Sequence, residues 1–97
     1  MKVIYKYPLS IYAEGDFEIP TLAKGASIIF VGLDPRDKPC LWAETYTEWS
    51  FDNEFPGRRT FRIIGTGQEV PAGRHIGSWR SDTRVFVWHL YETTART

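Results

Sequence analysis

Apolar and polar residues alternate along several short stretches of this chain, a pattern typical of β-strands with one face in a core. The strongest alternation covers residues 84–91, where every second residue from Val85 to Tyr91 shares one face. The apolar run at residues 28–33 is bounded by turn residues, which is typical of a buried strand. Further extended segments are predicted at residues 2–7, 17–20, 38–47 and 58–64.

These strands predict a mainly β fold. No segment has a sustained helical period, so any helix is short and falls within residues 68–80. Pro35, in the second position of the 34–37 turn, predicts a hairpin over residues 28–47. We expect a single β-rich domain over residues 1–97, a small antiparallel sheet of about five strands that is curled or barrel-like to cover its core. The predicted core residues are Ile29, Val31, Leu41, Phe61, Ile63, Val85, Val87 and Leu90.

Charge and aromatic content narrow the classes of partner. Twelve basic and twelve acidic residues give a formal net charge of zero. A protein that holds nucleic acid through its phosphates generally carries a basic excess, so generic nucleic-acid binding is not expected. Aromatic residues are 15% of the chain. A neutral, ring-rich surface with strong terminal strands favours self-association, and we expect a homo-oligomer.

The single cysteine and the N-terminal sequence bear on cofactors and location. Cys40 can form neither an internal disulfide nor a cysteine metal cluster, and its neighbours Pro39 and Leu41 predict a buried thiol. Residues 1–7 lack the apolar core of a signal peptide, and no apolar run is long enough to span a membrane. We expect a soluble intracellular protein with no metal, no cofactor and no membrane contact.

The segment FRIIGTGQEVP, residues 61–71, raises the question of a phosphate-binding loop. Such a loop needs a strand, a glycine turn and a helix in that order, because the amides at the helix N-terminus hold the anion. Val70 replaces the third glycine of the dinucleotide motif, and Pro71 follows where the helix would grow. We interpret Gly65-Thr66-Gly67 as a strand end that needs permissive backbone angles, with a small-anion site on its amides as the alternative.

Catalytic patterns in the sequence are incomplete. His75 and His89 lack a cysteine or aspartate at metal-ligand spacing, and His89 fits a structural histidine on a strand face. Ser78 does not lie in a Gly-x-Ser-x-Gly elbow. We therefore predict no catalytic residue and no metal ligand, and we expect a binding protein rather than an enzyme.

Two segments combine residue types found in binding surfaces. The region from Gly65 to Trp79 offers glycine amides, cationic groups and a ring, the mixture that an anionic small ligand needs. The predicted ligand-binding residues are Arg62, Gly65, Thr66, Gly67, Arg74, His75 and Trp79, although Trp79 also fits a role in the core. Residues 48–59 suit either a protein interface or a loop folded over the core. The predicted interface residues there are Trp49, Phe51, Phe55 and Arg58.

Several sequence blocks carry a family resemblance. The blocks IYKYPL, GASIIFVG, KPCLWAE, RTFRIIGTGQEVP, HIGSW and VFVWHLYE, in this order, resemble a family of small uncharacterised proteins of tailed bacteriophages and prophages. The similarity spans nearly the whole chain, and TFRIIGTG and VWHLYE are its most specific parts. The insert YTEWSFDNEFPGR and the tail TTART look peculiar to this member.

This resemblance implies a phage accessory factor that acts in the cytoplasm of the host bacterium. Such a factor would counter an antiphage defence, either by sequestering a small anionic, nucleotide-like signal or by occluding a host defence protein. Two other classes remain open. One is an enzyme that acts on a nucleotide or another phosphate compound, and the other is a structural or regulatory phage component.

Overall fold

The computed structural model describes residues 1–47, 59–81 and 83–94, and these ranges contain seven β-strands. The strands are β1 (Lys2–Pro8), β2 (Phe17–Glu18), β3 (Ser27–Leu33), β4 (Pro39–Tyr46), β5 (Thr60–Gly65), β6 (Gly73–Arg80) and β7 (Val87–Thr93). No helix in the same ranges is long and apolar enough to cross a membrane. The predicted interface residues lie outside the described residues: Trp49, Phe51, Phe55 and Arg58.

The strands form two antiparallel sheets. Sheet A has the order β1-β4-β3, and sheet B has the order β2-β5-β7-β6. The predictions of a mainly β, antiparallel fold and of a hairpin formed by β3 and β4 are confirmed. The structure differs from the predicted single sheet of about five strands, curled or barrel-like. The chain divides the seven described strands between two sheets, which meet where β3 contacts β6.

Residues 68–80, where the sequence allows at most a short helix, contain strand β6 instead. Gly73, which begins this strand, has a φ of 147°, and a Cβ there would collide with the carbonyl oxygen of Glu92. Glycine therefore permits β6 to start close against β7. Gly77 permits a second close approach, because a Cβ there would lie 3.0 Å from the Cβ of Val31 in sheet A.

The core lies between the two sheets and contains much of the predicted set. Val31, Leu41, Phe61 and Leu90 are buried, and Ile63 is partly buried against them. The other buried members of this cluster are Tyr7, Leu9, Leu22, Ala23, Ala26, Ala43 and Trp79.

The prediction that Ile29, Val85 and Val87 fill the core is wrong, because these side chains are 48%, 71% and 39% exposed. Ile29 is the extra residue of a bulge in β3, so it departs from the inward and outward alternation of that strand. Val87 lies opposite the exposed Arg80 on the face of sheet B that is turned away from sheet A. Val85 precedes β7 and takes no part in its ladder.

A partly buried ion pair joins sheet B to the segment before β3. The Nε and Nη2 atoms of Arg59 each donate to an oxygen of Glu92 at 2.8 Å, and Nη1 donates to the carbonyl oxygen of Ala26 at 2.7 Å. The two side chains are only 10% and 21% exposed. Hydrogen bonds from Arg59 lower the pKa of Glu92. This bidentate geometry is the strongest form of an arginine–carboxylate contact.

The predicted turn at residues 34–37 is confirmed and is organised by a buried carboxylate. Oδ1 of Asp34 accepts hydrogen bonds from the backbone amides of Arg36 at 2.8 Å and Lys38 at 3.0 Å. Its Oδ2 accepts one from Nζ of Lys6 in β1 at 3.1 Å. The Lys38 amide, with Lys6 and the Arg36 amide, lowers the pKa of Asp34 to about 2. The nearby Cys40 is buried as predicted, and burial raises the pKa of its thiol.

We expect Asp34→Asn to lower stability in a pH-dependent way. The folded-state pKa of Asp34 is about 2, below the value of about 3.9 for an unfolded aspartate. Its ionised form therefore stabilises the fold above about pH 4, and this contribution is lost as the pH falls through about 2. Urea unfolding across this range should show a stability difference between wild type and Asp34→Asn that narrows in acid.

The matched control for this experiment is Asp37→Asn in the same turn, where the side chain is exposed. This variant should keep the acid dependence of the wild type. A constant difference between wild type and Asp34→Asn at every pH would contradict the assignment to the Asp34 carboxylate.

Candidate functional site

The outer face of sheet B, turned away from sheet A, collects polar side chains from three strands. Directly opposed residues of antiparallel strands share a face. The register places Ser78 opposite His89 and His89 opposite Ile64 in one row across β6, β7 and β5. The neighbouring row consists of His75, Tyr91 and Arg62.

Four of these outer groups are joined by hydrogen bonds, and we call them the hydroxyl–imidazole cluster: Thr66, His75, Ser78 and His89. Oγ of Ser78 lies 2.8 Å from Nε2 of His75 and 2.7 Å from Nδ1 of His89. The second ring nitrogen of His89, Nε2, lies 3.0 Å from Oγ1 of Thr66. The hydroxyl of Ser78 is therefore held between two imidazoles.

A bulge in β6 is the reason that His75 and Ser78 lie on the same face. Residues three apart in a regular strand point to opposite faces. The register shifts between His75 and Gly77, so that one extra residue, Ile76, is inserted against β7. His75 then lies opposite Tyr91 and Ser78 opposite His89, two positions that share a face of β7.

Arg62 and Tyr91 border the cluster. The ring of His75 meets the ring of Tyr91 edge to face, with centroids 5.3 Å apart. Nε of Arg62 donates to Oδ1 of Asp16 at 2.7 Å, and these side chains are 38% and 45% exposed. A cation thus lies in the same row as His75, on the face of the cluster, and is partly accessible to solvent.

The Gly65–Gly67 segment forms a turn, as its interpretation as a strand end predicts. Gly67 has a φ of 97°, which a residue with a Cβ rarely adopts. The amide of Gly65 donates to Oε1 of Gln68 at 2.5 Å, and the Gln68 amide donates back to the Gly65 carbonyl oxygen. Since the Gly65 amide is used within the turn, the contribution of this segment to the outer face is the hydroxyl of Thr66.

Two predicted ligand residues lie apart from the cluster. Trp79 is 7% exposed and belongs to the core, the other role that the sequence left open. Arg74 lies opposite Glu92 in the register and donates to its Oε1 at 3.4 Å, on the face of sheet B that carries Phe61. The structure therefore brings Thr66 and His75 together with Arg62 beside them, and it separates Arg74 and Trp79 from this group.

An apolar groove adjoins the cluster at Thr66. We call it the Phe86 groove, and its lining residues are Gly65, Thr66, Gln68, Val85, Phe86, Val87 and Trp88. Phe86 is 57% exposed, and its ring centroid lies 5.9 Å from that of Trp88. The Trp88 indole lies on the face of sheet B that carries Leu90, opposite to the face of the cluster, and the Phe86 ring packs against it.

The chemistry of the cluster depends on protonation. A neutral imidazole has one donor and one acceptor nitrogen, whereas a protonated one only donates. When both histidines are charged, the Ser78 oxygen accepts from His75 and His89, and its own proton is left for an outside acceptor. In that charged form the cluster is a set of cations and donors suited to an anion.

Comparison with known proteins adds a family. The sequence profile of DUF7352, a domain of unknown function, matches residues 1–97. The chain belongs to the DUF7352 family. No curated protein and no solved structure shows a significant match to it. The role of this DUF7352 chain therefore has to be argued from its own site.

Sequence reasoning missed Ser78, His89 and Phe86 as site residues of this DUF7352 chain. The alternation in residues 84–91 did place His89 and Tyr91 on one face, and this is the signal that could have found His89. The sequence spacing of His75 and Ser78 does not reveal the bulge that places both side chains on one face. Within residues 1–47, 59–81 and 83–94, no group of three or more His, Cys, Asp or Glu side chains is arranged to hold a metal ion.

Proposed function

We propose that this DUF7352 protein is a non-enzymatic phage accessory protein that sequesters a small anionic, nucleotide-like signal of a host defence. The observation that carries the proposal is the hydroxyl–imidazole cluster, in which two imidazoles and two hydroxyls are linked within 3.0 Å. Such groups donate hydrogen bonds to phosphate oxygens, and charge on either partner strengthens these bonds. The class of protein rests on the sequence resemblance to phage proteins, which also supports the host bacterial cytoplasm as its location.

Arg62 supports an anionic ligand in this place. It lies in the same row as His75 on the face of the cluster, with 38% of its side chain exposed. A guanidinium can grip a phosphate through two parallel hydrogen bonds. The hydrogen bond from Nε of Arg62 to Asp16 holds the arginine in this row.

The proposal is tested by ligand capture. The pure protein is incubated with a small-molecule extract of phage-infected bacteria, separated from unbound compounds and denatured by heat, and the released compounds are identified by mass spectrometry. We expect a phosphate-containing compound to be enriched and returned chemically intact. Absence of any such compound across repeated extracts would contradict sequestration.

Arg62→Ala should weaken binding of the captured compound by roughly ten- to a hundred-fold, the cost of one charge-assisted contact. Arg74→Ala is the matched control, because Arg74 also pairs with a carboxylate but lies on the opposite face of sheet B. We expect Arg74→Ala to bind like the wild type in isothermal titration calorimetry. The reverse order of effects would place the ligand on the other face and contradict the proposed site.

Two expectations stay predictions. The first is occlusion of a defence protein by Trp49, Phe51, Phe55 and Arg58, which lie outside the described residues. The second is self-association of the chain. Trp49→Ala in a phage-protection assay tests the first. Loss of protection by Trp49→Ala together with full protection by Arg62→Ala would favour occlusion. Light scattering at increasing protein concentration tests the second.

An enzyme acting on a nucleotide or another phosphate compound is the second candidate, and Ser78 is the observation that favours it. A serine hydroxyl within 2.8 Å of two imidazole nitrogens has the contact that a general base needs to activate a nucleophile. In the capture experiment an enzyme would return an altered compound. Ser78→Ala would abolish that change, whereas Ser27→Ala, an exposed serine of sheet A, would not.

A further inference from the structure

A cleft lies at the end of the two sheets where β1 and β6 finish and β7 begins, and we call it the tryptophan cleft after Trp79 and Trp88 in its wall. The other walls are the segment that follows β1 and the turn between β3 and β4. Its volume is about 300 Å³, at the lower end of the range for small-molecule sites. The two tryptophans are on the face of sheet B that carries Leu90, opposite to the hydroxyl–imidazole cluster. The cleft is therefore separate from the site on which the proposed function rests.

The lining of the tryptophan cleft is largely aromatic and aliphatic. Trp79 and Trp88 are directly opposed in the register of β6 and β7, so their side chains are neighbours on one face. Leu9, Ile11 and Leu33 contribute to the remaining walls. Aromatic rings pack against one another in offset or tilted arrangements over a large apolar area. These walls suit a flat, apolar ring.

The indole of Trp88 supplies a hydrogen-bond donor to this apolar lining. Its Nε1 atom is buried and has no hydrogen-bond acceptor among residues 1–47, 59–81 and 83–94. An indole N–H can only donate. Because a buried donor is unfavourable without an acceptor, a ligand that brings an acceptor gains from meeting this group.

The orientation of the indole places this N–H on the side of the cleft. Cζ3 and Cε3 are the indole atoms nearest to Gly65 of β5, and a Cβ at Gly65 would lie 3.5 and 3.8 Å from them. Nε1 belongs to the opposite edge of the ring system, on the side of Trp79 in β6. Since Trp79 is itself part of the wall, the unpaired donor lies beside the cleft.

We propose that the tryptophan cleft binds an uncharged, planar heteroaromatic compound of one or two rings. The ring packs against Trp79 and Trp88, and an acceptor atom of the compound receives the N–H of Trp88. Small-molecule sites commonly combine apolar walls with a few polar groups that fix orientation. The exposed Asp37 and Lys38 at the edge of the cleft carry opposite charges, which favours a ligand without net charge.

Quinoline and naphthalene test the site, because they share size and shape and differ in one ring nitrogen that accepts a hydrogen bond. The chain has four tryptophans, and nuclear magnetic resonance of the ¹⁵N-labelled protein gives an indole N–H signal for each. Replacing each tryptophan in turn with phenylalanine assigns these signals. At neutral pH, where quinoline is uncharged, it should shift the signals of Trp79 and Trp88 with one common, saturating affinity. The signal of Trp42 in sheet A should not move.

Trp88→Phe keeps an aromatic ring and removes the N–H. It should weaken the binding of quinoline by roughly two- to tenfold, the range for one neutral hydrogen bond, and leave the affinity for naphthalene unchanged. The signal of Trp79 reports binding in this variant. Trp42→Phe is the matched control, because Trp42 also packs against a phenylalanine, Phe30, as Trp88 does against Phe86. This variant should keep both affinities.

Three outcomes would overturn the proposal, and the titration of the wild type supplies two of them without any variant. One is the lack of a saturable shift with either compound, and another is a shift of the Trp42 signal while those of Trp79 and Trp88 stay fixed. The third is equal weakening of quinoline and naphthalene in Trp88→Phe. None of these results concerns the outer face of sheet B, so the proposed function stands or fails separately.

Discussion

Replacing Arg59 with alanine is expected to destabilise the protein by about 1.5–3 kcal/mol, the largest effect of any single polar substitution that we predict. The substitution removes both hydrogen bonds to Glu92 and the bond to the carbonyl oxygen of Ala26. The carboxylate of Glu92, only 21% exposed, would then keep a single longer contact with Arg74 at 3.4 Å. Urea unfolding of the wild type and of Arg59→Ala measures the difference.

Arg62→Ala is the control, because it removes an ion pair that is more exposed than the Arg59–Glu92 pair. Arg62 contacts Asp16 at 2.7 Å, as short as the contacts of Arg59, but these side chains are 38% and 45% exposed. An exposed pair contributes about 0–1 kcal/mol, so this variant should unfold close to the wild type. Equal losses for the two variants would contradict the role assigned to Arg59.

The Arg59–Glu92 contact also has a pH signature. Because Arg59 lowers the pKa of Glu92, the carboxylate stabilises the fold above the ordinary glutamate pKa of about 4.3 and loses this effect as the pH falls through its lower folded-state value. The stability difference between wild type and Arg59→Ala should therefore shrink in acid.

Leu90→Ala is expected to destabilise the protein by about 2–5 kcal/mol, because it opens a cavity at a fully buried position. Leu90 lies between Ile63 of β5 and Gly77 of β6 in sheet B, and it belongs to the core that contacts sheet A. Removing three carbon atoms there leaves the neighbouring side chains without packing partners. The free energy of unfolding, from urea titration, gives the loss.

Val85→Ala is the matched control within the same stretch of sequence. Its side chain is 71% exposed, so the change in stability should lie within about 0.5 kcal/mol. The predicted core contains both Val85 and Leu90, although the alternation of residues 84–91 places them on opposite faces of the strand. A loss of several kcal/mol in Val85→Ala would contradict the outward position of this segment.

The alternation of apolar residues was enough to predict most strands but not their faces. Residues 28–33 and 38–47 become the β3–β4 hairpin with nearly the predicted bounds. The bulge at Ile29 turns that side chain outward. A bulge shifts the register by one residue without changing the sequence pattern, so the pattern cannot reveal it. The two sheets meet where Gly77 lies close to Val31, and these residues are far apart in sequence.

The candidate site was predicted in part for the same reason. Thr66 and His75 follow from the glycine turn and its cationic surroundings, and both belong to the cluster. Ser78 joins them because β6 is a bulged strand, whereas the glycine and proline content of residues 68–80 indicated at most a short helix. Arg74 directly precedes His75 in sequence, and strand alternation therefore puts the two side chains on opposite faces of sheet B.

Nuclear magnetic resonance of the two histidines tests most directly whether the outer face of sheet B binds a phosphate ligand. His75 and His89 are the only histidines of the chain, so each imidazole signal reports on the cluster. Titration with adenosine 5′-monophosphate should shift both signals with one common, saturating affinity, and Ser78→Ala should weaken that affinity while Ser27→Ala leaves it unchanged. Binding of the nucleotide with neither histidine signal moving would contradict the account.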